Sequence, residues 1–228
     1  ALQLAHLGRH CEHRHIGVMC GVMDQMACAL GKAGHAMLID FRSFEVKHVP
    51  IPTGVSIVVC DTGMKRTLDG SAYNERKREC EEACAELGAR SLRDATIESM
   101  QSLSGIALKR VRHVVTENAR CQDFCRALET DDRITMGRLM AASHDSLRDD
   151  YEVSCLELDA MAEAARAGPG CFGARMTGAG FGGSCVALVE TSQVQEFMEK
   201  TKLEYLRDLP WSEPRFSACK SSDGARLV

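Results

Sequence analysis

Gly173-Ala174-Arg175-Met176-Thr177-Gly178-Ala179-Gly180-Phe181-Gly182-Gly183, followed at once by Ser184-Cys185-Val186-Ala187-Leu188-Val189, is the most informative stretch of the 228-residue chain. Five of its first eleven residues are glycine, whereas a plain hairpin needs only one or two residues at positive φ. The excess predicts that backbone comes close to something else. Two readings stay open: N–H groups presented to an anion such as phosphate, or a tightly packed turn. The stretch is neither a Walker loop, lacking the GK[ST] ending, nor a dinucleotide fingerprint, because the strand before it is not followed by a helix.

The surrounding pattern sets the class. Residues 171–189 read as strand, glycine turn and strand, preceded by helices over 133–143 and 155–166 that end at Gly168-Pro169-Gly170. Downstream, 194–206 is helical, and a last strand follows Pro210, Trp211 and Pro214. Upstream, Leu2, Ala5 and Leu7 have helical spacing in 1–16, broken at Gly17. A second helix over 18–30 puts Val22, Met23, Met26, Ala27 and Leu30 on one face, with Gly31 as the stop. Alternation over 35–49 predicts strands, and the β-branched run Val55–Cys60 a buried one. After a loop at 61–70, a helix over 71–87 carries the stripe Tyr73, Cys80, Ala83, Cys84, Leu87 and the outer pairs Lys77/Glu81 and Arg78/Glu82. A longer helix covers 106–128. Neither strict βαβ alternation nor an all-helical order is present, so the fold class is α+β.

Composition narrows the partners. With 28 Lys+Arg against 32 Asp+Glu the formal charge is −4, so no nucleic-acid partner is expected on bulk electrostatics. Apolar runs are far too short for a membrane span, and nothing resembles a secretory leader. The twelve cysteines include no CxxC pair and fall partly at helical i, i+4 spacing, as in Cys80/Cys84 and Cys121/Cys125. Reduced thiols in the cytosol are expected. His10, Cys11, His13, His15 and Cys20 match no standard zinc spacing and are expected to be solvated or loosely structural; no metal ligand is assigned.

Three further residues carry possible chemistry. Asp24 sits in the first turn of the helix after Cys20-Gly21, off its apolar stripe. It reads either as an acid stabilised by the helix dipole or as a base that takes or orients a hydroxyl proton. Lys65 follows the buried strand, as an anion contact or a solvated charge. Tyr73 heads an apolar stripe, so its ring is expected to pack while its hydroxyl reaches outward.

Taken in order, CGVMDQ (20–25), DTGMKRTLDGSAYNERKRECE (61–81), SHDSLRDDYEVSC with LELD (143–159) and GARMTGAGFGGSCVALV (173–189) resemble the galactokinases, sugar kinases of the GHMP superfamily. The resemblance implies a GHMP-kinase-like α+β fold. Residues 1–52 would be a remnant of the N-terminal domain, and 53–228 the C-terminal domain of antiparallel sheet against helices. It implies transfer of the γ-phosphoryl group of ATP, with Mg²⁺, to the C1 hydroxyl of α-D-galactose. Asp24 matches the catalytic aspartate, Cys20 and Gly21 would line the sugar pocket, and Tyr73 would contact galactose. Lys65 would lie near the nucleotide phosphates, and Gly178, Ala179, Gly180, Gly182 and Gly183 would support the nucleotide site. The alternatives are a kinase of N-acetylgalactosamine or arabinose and a non-catalytic galactose sensor.

Departures from the family pattern are Met19 and Leu156 where proline is usual, and GGSC in place of GGC. No segment resembles the family's arginine-bearing first motif or its serine-rich phosphate loop. The chain also opens Ala1-Leu2-Gln3 without methionine. A portion of a longer, cytoplasmic and monomeric enzyme is therefore expected, inactive by itself and with exposed apolar surface in 1–52.

Overall fold

A computed structural model of the chain describes residues 1–16, 20–64 and 70–226. It contains two compact units, one of Ala1–Thr53 with the segment from Lys220 onward, the other of Gly54–Cys219. The boundary expected at 52/53 thus falls one residue later, and the expected single run 53–228 is cut at its end. The cause is backbone pairing of the tail with the first unit. Gly224 N–H donates to Gly31 O and Ala225 N–H to Cys28 O, both at 2.8 Å, while Asp223 Oδ1 accepts from Ala33 N–H at 3.0 Å.

In the first unit, helix α1 (Leu2–Cys11) runs into a turn of π-helix at Glu12–Ile16, and α2 (Met23–Leu30) follows. Strands β1 (His35–Ile39) and β2 (Val46–Pro50) pair antiparallel, from His35 opposite Pro50 to Ile39 opposite Val46. Ala5, Val22 and Met26 form the buried centre, with Leu2, Ala29, Leu30, Ile39, Phe44 and Val46 packed around it. The apolar face of α2 therefore runs Val22, Met26, Ala29, Leu30. Met23 and Ala27, expected on it, are exposed; Met23 opens the helix after the non-helical residues 20–22, and the buried face is narrower than the expected stripe. Met23, Leu4, Leu7 and Phe41 are each at least half exposed, so apolar surface is displayed on this unit.

The second unit is built on a four-stranded antiparallel sheet of order β4-β5-β3-β6, from β3 (Val55–Asp61), β4 (Cys171–Met176), β5 (Ser184–Glu190) and β6 (Arg215–Cys219). Period-two alternation sends Val58, Cys60, Ala174, Met176, Cys185, Ala187 and Val189 into one core. There they meet Leu158, Met161, Ala162 and Ala165 of α6 (Leu156–Ala167) and Phe197 and Tyr205 of α7 (Val194–Asp208). A smaller core of Ala83, Leu92, Leu103 and Val111 joins α3 (Gly70–Glu86) to α4 (Gly105–Glu129). Helix α5 (Arg133–Asp149) runs six residues beyond the expected end at 143. Its continuation carries His144, Ser146 and Leu147, all buried, so core packing extends it. No helix among the described residues is long and apolar enough to cross a membrane.

Helix α5 lies directly on β4. A Cβ on Gly137 would stand 1.8 Å from Phe172 O, and one on Gly173 would stand 2.6 Å from Gly137 Cα. Gly137→Ala is therefore expected to destabilise the protein by about 2–4 kcal/mol in urea unfolding. Helix propensity alone would favour the alanine by about 1 kcal/mol, so even the sign tests the contact. Ile134→Ala, at a side chain 87% exposed on the same helix, should stay within about 0.5 kcal/mol.

Candidate active site

In the first unit, one carboxylate organises the approach to α2. Glu12 accepts from Cys20 Sγ–H at 3.1 Å and from Gln25 Nε2–H at 2.5 Å, and His13 Nε2–H donates to Cys20 O at 2.9 Å. Donation from Cys20 and then Gln25 lowers the Glu12 carboxyl from its ordinary value, and the same bond raises the Cys20 thiol. The Cys20-Gly21 turn is thereby held, with nothing within 4 Å of where a Gly21 side chain would begin. Asp24, second residue of α2, is exposed and has no hydrogen bond or ion pair among the described residues. With Leu4, Leu7, Cys11, Glu12 and Cys28 it lines a groove of about 430 Å³ between α1 and α2. A carboxylate there is at the positive end of a short helix and open to a ligand.

In the second unit, Tyr73 lies on α3 and is 47% exposed, so its ring does not pack as the stripe predicted. Its neighbour is Tyr151, whose phenol is raised by burial first and then by Cys80 and Tyr73. The Tyr151 ring stacks on His113 at 4.5 Å between centroids, and its hydroxyl accepts from Cys80 Sγ–H.

Two residues further on, Val153 seats the glycine turn. Val153 O accepts Phe181 N–H at 2.7 Å, and a Cβ on Gly180 would stand 2.2 Å from that same oxygen. Gly178, Gly180, Phe181, Gly182 and Gly183 all have φ between 57° and 116°, a run that only a glycine-rich sequence tolerates. Thr62 closes the other side, donating from N and from Oγ1 to Gly183 O at 3.0 and 2.7 Å.

The two readings of the turn fall on different parts of it. Gly180 and Gly182 are buried, so there the glycines answer close packing. Gly178 is exposed and Ala179 half-buried, and their N–H groups have no acceptor among the described residues. An anion fits only that arm.

The strand leading into the turn is pinned by neutral and ionic contacts. Met176 N–H donates to His144 Nδ1 at 3.1 Å, which fixes the tautomer, so Nε2–H donates to Asp159 Oδ1 at 3.1 Å. Ser154 Oγ–H donates to that carboxylate oxygen as well. Arg175 donates from Nε to Met176 O at 2.9 Å and from Nη1 to Glu117, which Ser143 and Arg120 also hold.

Within the first unit the structure brings together Cys20, Gly21 and Asp24; within the second it links Tyr73, through Tyr151 and Val153, to the turn. Lys65 lies outside the described residues. Among the described residues no group of three or more His, Cys, Asp or Glu side chains is placed to hold a metal ion. Glu12, His144 and Val153 were not singled out by sequence. A polar residue between histidines, a helix histidine and a valine carry no signal until their partners are known.

The family model for the C-terminal part of GHMP kinases matches residues 125–203. The galactokinase of Chloroflexus aggregans is 48% identical over 205 residues, which is 86% of this chain and 53% of that relative. The galactokinase of Roseiflexus sp. is 42% identical over 99% of this chain and 60% of its own length. The crystal structure of Lactococcus lactis galactokinase complexed with galactose matches all of this chain and 61% of its own, with a TM-score of 0.91 and 34% identity. The chain has the GHMP-kinase fold, and its sequence is similar to galactokinases along nearly its whole length. It spans between half and two thirds of the length of the curated galactokinases it matches. Homoserine kinase of Cytophaga hutchinsonii, at 14% identity and TM-score 0.56, shares the fold alone.

The departure from the galactokinase pattern at Leu156 has a simple account in the fold. Leu156 is the first residue of α6 and 67% exposed, at a helix position that suits proline but does not require it.

Two buried histidines are expected to make the fold acid-sensitive. Burial pushes His113 down to about 4, and burial followed by Arg166 lowers His144. The unfolded chain then binds protons that the folded one refuses. Stability is full above the ordinary histidine value near 6.5, falls as pH drops below it, and for His113 levels off below about 4. The His113 share is about 3 kcal/mol. Unfolding midpoints between pH 7 and 4 should fall less steeply in His113→Gln than in the parent; equal slopes would contradict this.

Proposed function

We propose that this chain is the greater part of a galactokinase, which transfers the γ-phosphoryl group of ATP to the C1 hydroxyl of α-D-galactose. The observation that carries the reading is likeness along the whole chain to a galactokinase solved with galactose, with TM-score 0.91. Asp24 takes or orients the proton of the C1 hydroxyl; the new O–P bond forms at that oxygen as the bond from the γ-phosphorus to ADP breaks. Its lack of a protein partner among the described residues suits that task, since a carboxylate committed to an ion pair would be a weaker base.

The open backbone of Cys20 and Gly21 supplies the sugar pocket with peptide groups at close range. Tyr73, exposed at the head of α3, offers ring and hydroxyl to the sugar. The arm at Gly178–Ala179 offers N–H donors to phosphate oxygens, while Gly180, Gly182 and Gly183 hold its shape; Lys65 adds a positive charge near the nucleotide. Mg²⁺ would neutralise phosphate charge when bound. No converging ligand set among the described residues fits it, so no residue is assigned to it. Positioning of this kind is most of what phosphoryl transfer asks of a protein. A cytoplasmic location is consistent with twelve free cysteines.

The test is a hybrid: this chain joined to the part of the Chloroflexus aggregans relative that lies outside the match. It should release ADP with galactose faster than with N-acetylgalactosamine or arabinose. Asp24→Asn should lower kcat by about 10²–10⁴-fold while galactose KM moves only a few-fold. Faster use of arabinose, or an Asp24→Asn rate within about tenfold of the parent, would overturn the assignment.

A further inference from the structure

Arg110 is among the largest fully buried side chains of the described residues. Its guanidinium is spent on three different acceptors. Nε–H donates to Glu79 Oε2 at 2.8 Å, Nη1–H to the main-chain oxygen of Asp150 at 2.5 Å, and Nη2–H to Glu152 Oε2 at 2.8 Å. Glu79, 7% exposed, belongs to α3, the helix that carries Tyr73, and is held also by Arg76 at 2.6 Å. Asp150 and Glu152 belong to the loop between α5 and α6, where Glu152 has a φ of 55° and a second partner in Lys109 at 2.7 Å. The next residue is Val153, whose N–H is tied to Leu147 O and whose carbonyl receives Phe181 N–H and faces Gly180.

One planar fork therefore joins the helix of Tyr73 to the peptide on which the glycine turn rests. Stability alone does not call for such a group, because a buried ion cluster is often matched or exceeded by packed hydrocarbon. A guanidinium differs from hydrocarbon, and from an ammonium, in fixing the directions of several bonds at once.

We propose that Arg110 is a positioning residue for the glycine turn: through the peptides of Asp150 to Val153 it sets where Gly178 and Ala179 present their N–H groups. The proposal rests on the reading of that arm as the phosphate contact.

Two measurements test it separately. In the 228-residue chain, hydrogen exchange is followed at Val153, Phe181 and the strand amides of β5. Arg110→Lys keeps the charge and stem but replaces the fork by a point donor. Exchange at Val153 and Phe181 should rise at least about tenfold beyond any rise in β5. Should Arg110→Lys fail to fold, Glu152→Gln, at a partly exposed side chain, should give the same local pattern at about threefold. A rise shared equally by β5, or none, overturns the proposal. In the hybrid kinase, Arg110→Lys should raise the KM for ATP about fivefold or more and move the KM for galactose less than about twofold. Local loosening without a change in ATP KM leaves the clamp in place and overturns the phosphate reading of the turn.

Discussion

The carbonyl oxygen of Val153 is the point on which the second unit turns. It accepts Phe181 N–H and lies where a side chain at position 180 would have to begin. So close an approach is open only to glycine, and the backbone that delivers it must run through several left-handed conformations in succession. The composition of 178–183 is thus a consequence of one contact. The turn gains rigidity from it, since a glycine-rich loop left to solvent would carry more conformational entropy than any other sequence of its length.

That contact has to be supplied from the other side, and the supply is costly. Glu152 sits at positive φ without being glycine, a conformation worth of order 1–3 kcal/mol of strain. Arg110 is buried with full charge, which no single partner would offset. Both costs converge on the loop 150–153, one in its own backbone and the other in the α4 side chain it receives. The arrangement persists because the loop is over-determined: by Arg110 and Lys109 through side chains, by Leu147 and Phe181 through the main chain, and by the stacked rings of Tyr151 and His113. Strain held by so many independent contacts is expected where geometry matters more than stability.

What was legible in the sequence follows from this. Helices and strands with a clear apolar period, such as Val55–Asp61 and Val194–Asp208, come close to their expected bounds because burial on one face decides them locally. The glycine turn was legible for the same reason: positive φ is a property of single residues. Met23 and Tyr73 were misplaced because each lies in the first turn of its helix, where the period has least hold on the face, while Ala27, inside α2, is exposed because the buried face of that helix is narrower than the stripe. Domain bounds read from prolines missed the tail from Lys220, which pairs with residues 28–33 across most of the chain length and leaves no local mark.

Charged residues were the hardest to read, and the reason is physical. A charge in sequence says nothing of whether it will be solvated or clamped, since either fate is decided by partners distant along the chain. Arg110 lies in the run Lys109-Arg110-Val111-Arg112-His113, where nothing in the sequence sets it apart from its charged neighbours. In the fold Arg112 is half exposed and Arg110 wholly enclosed, two residues apart in number and on different faces. The cysteines illustrate the opposite case. Cys60 and Cys185 are opposite one another in the β3–β5 ladder, yet both remain thiols, with burial pushing Cys60 up to about 12. A thiol held protonated by its surroundings is an apolar side chain of modest size, and its role as core filler follows from spacing alone. Residues that act by volume are legible from pattern, whereas those that act by direction, such as the guanidinium fork and the carboxylate of Glu12, become legible only when their acceptors and donors are in place.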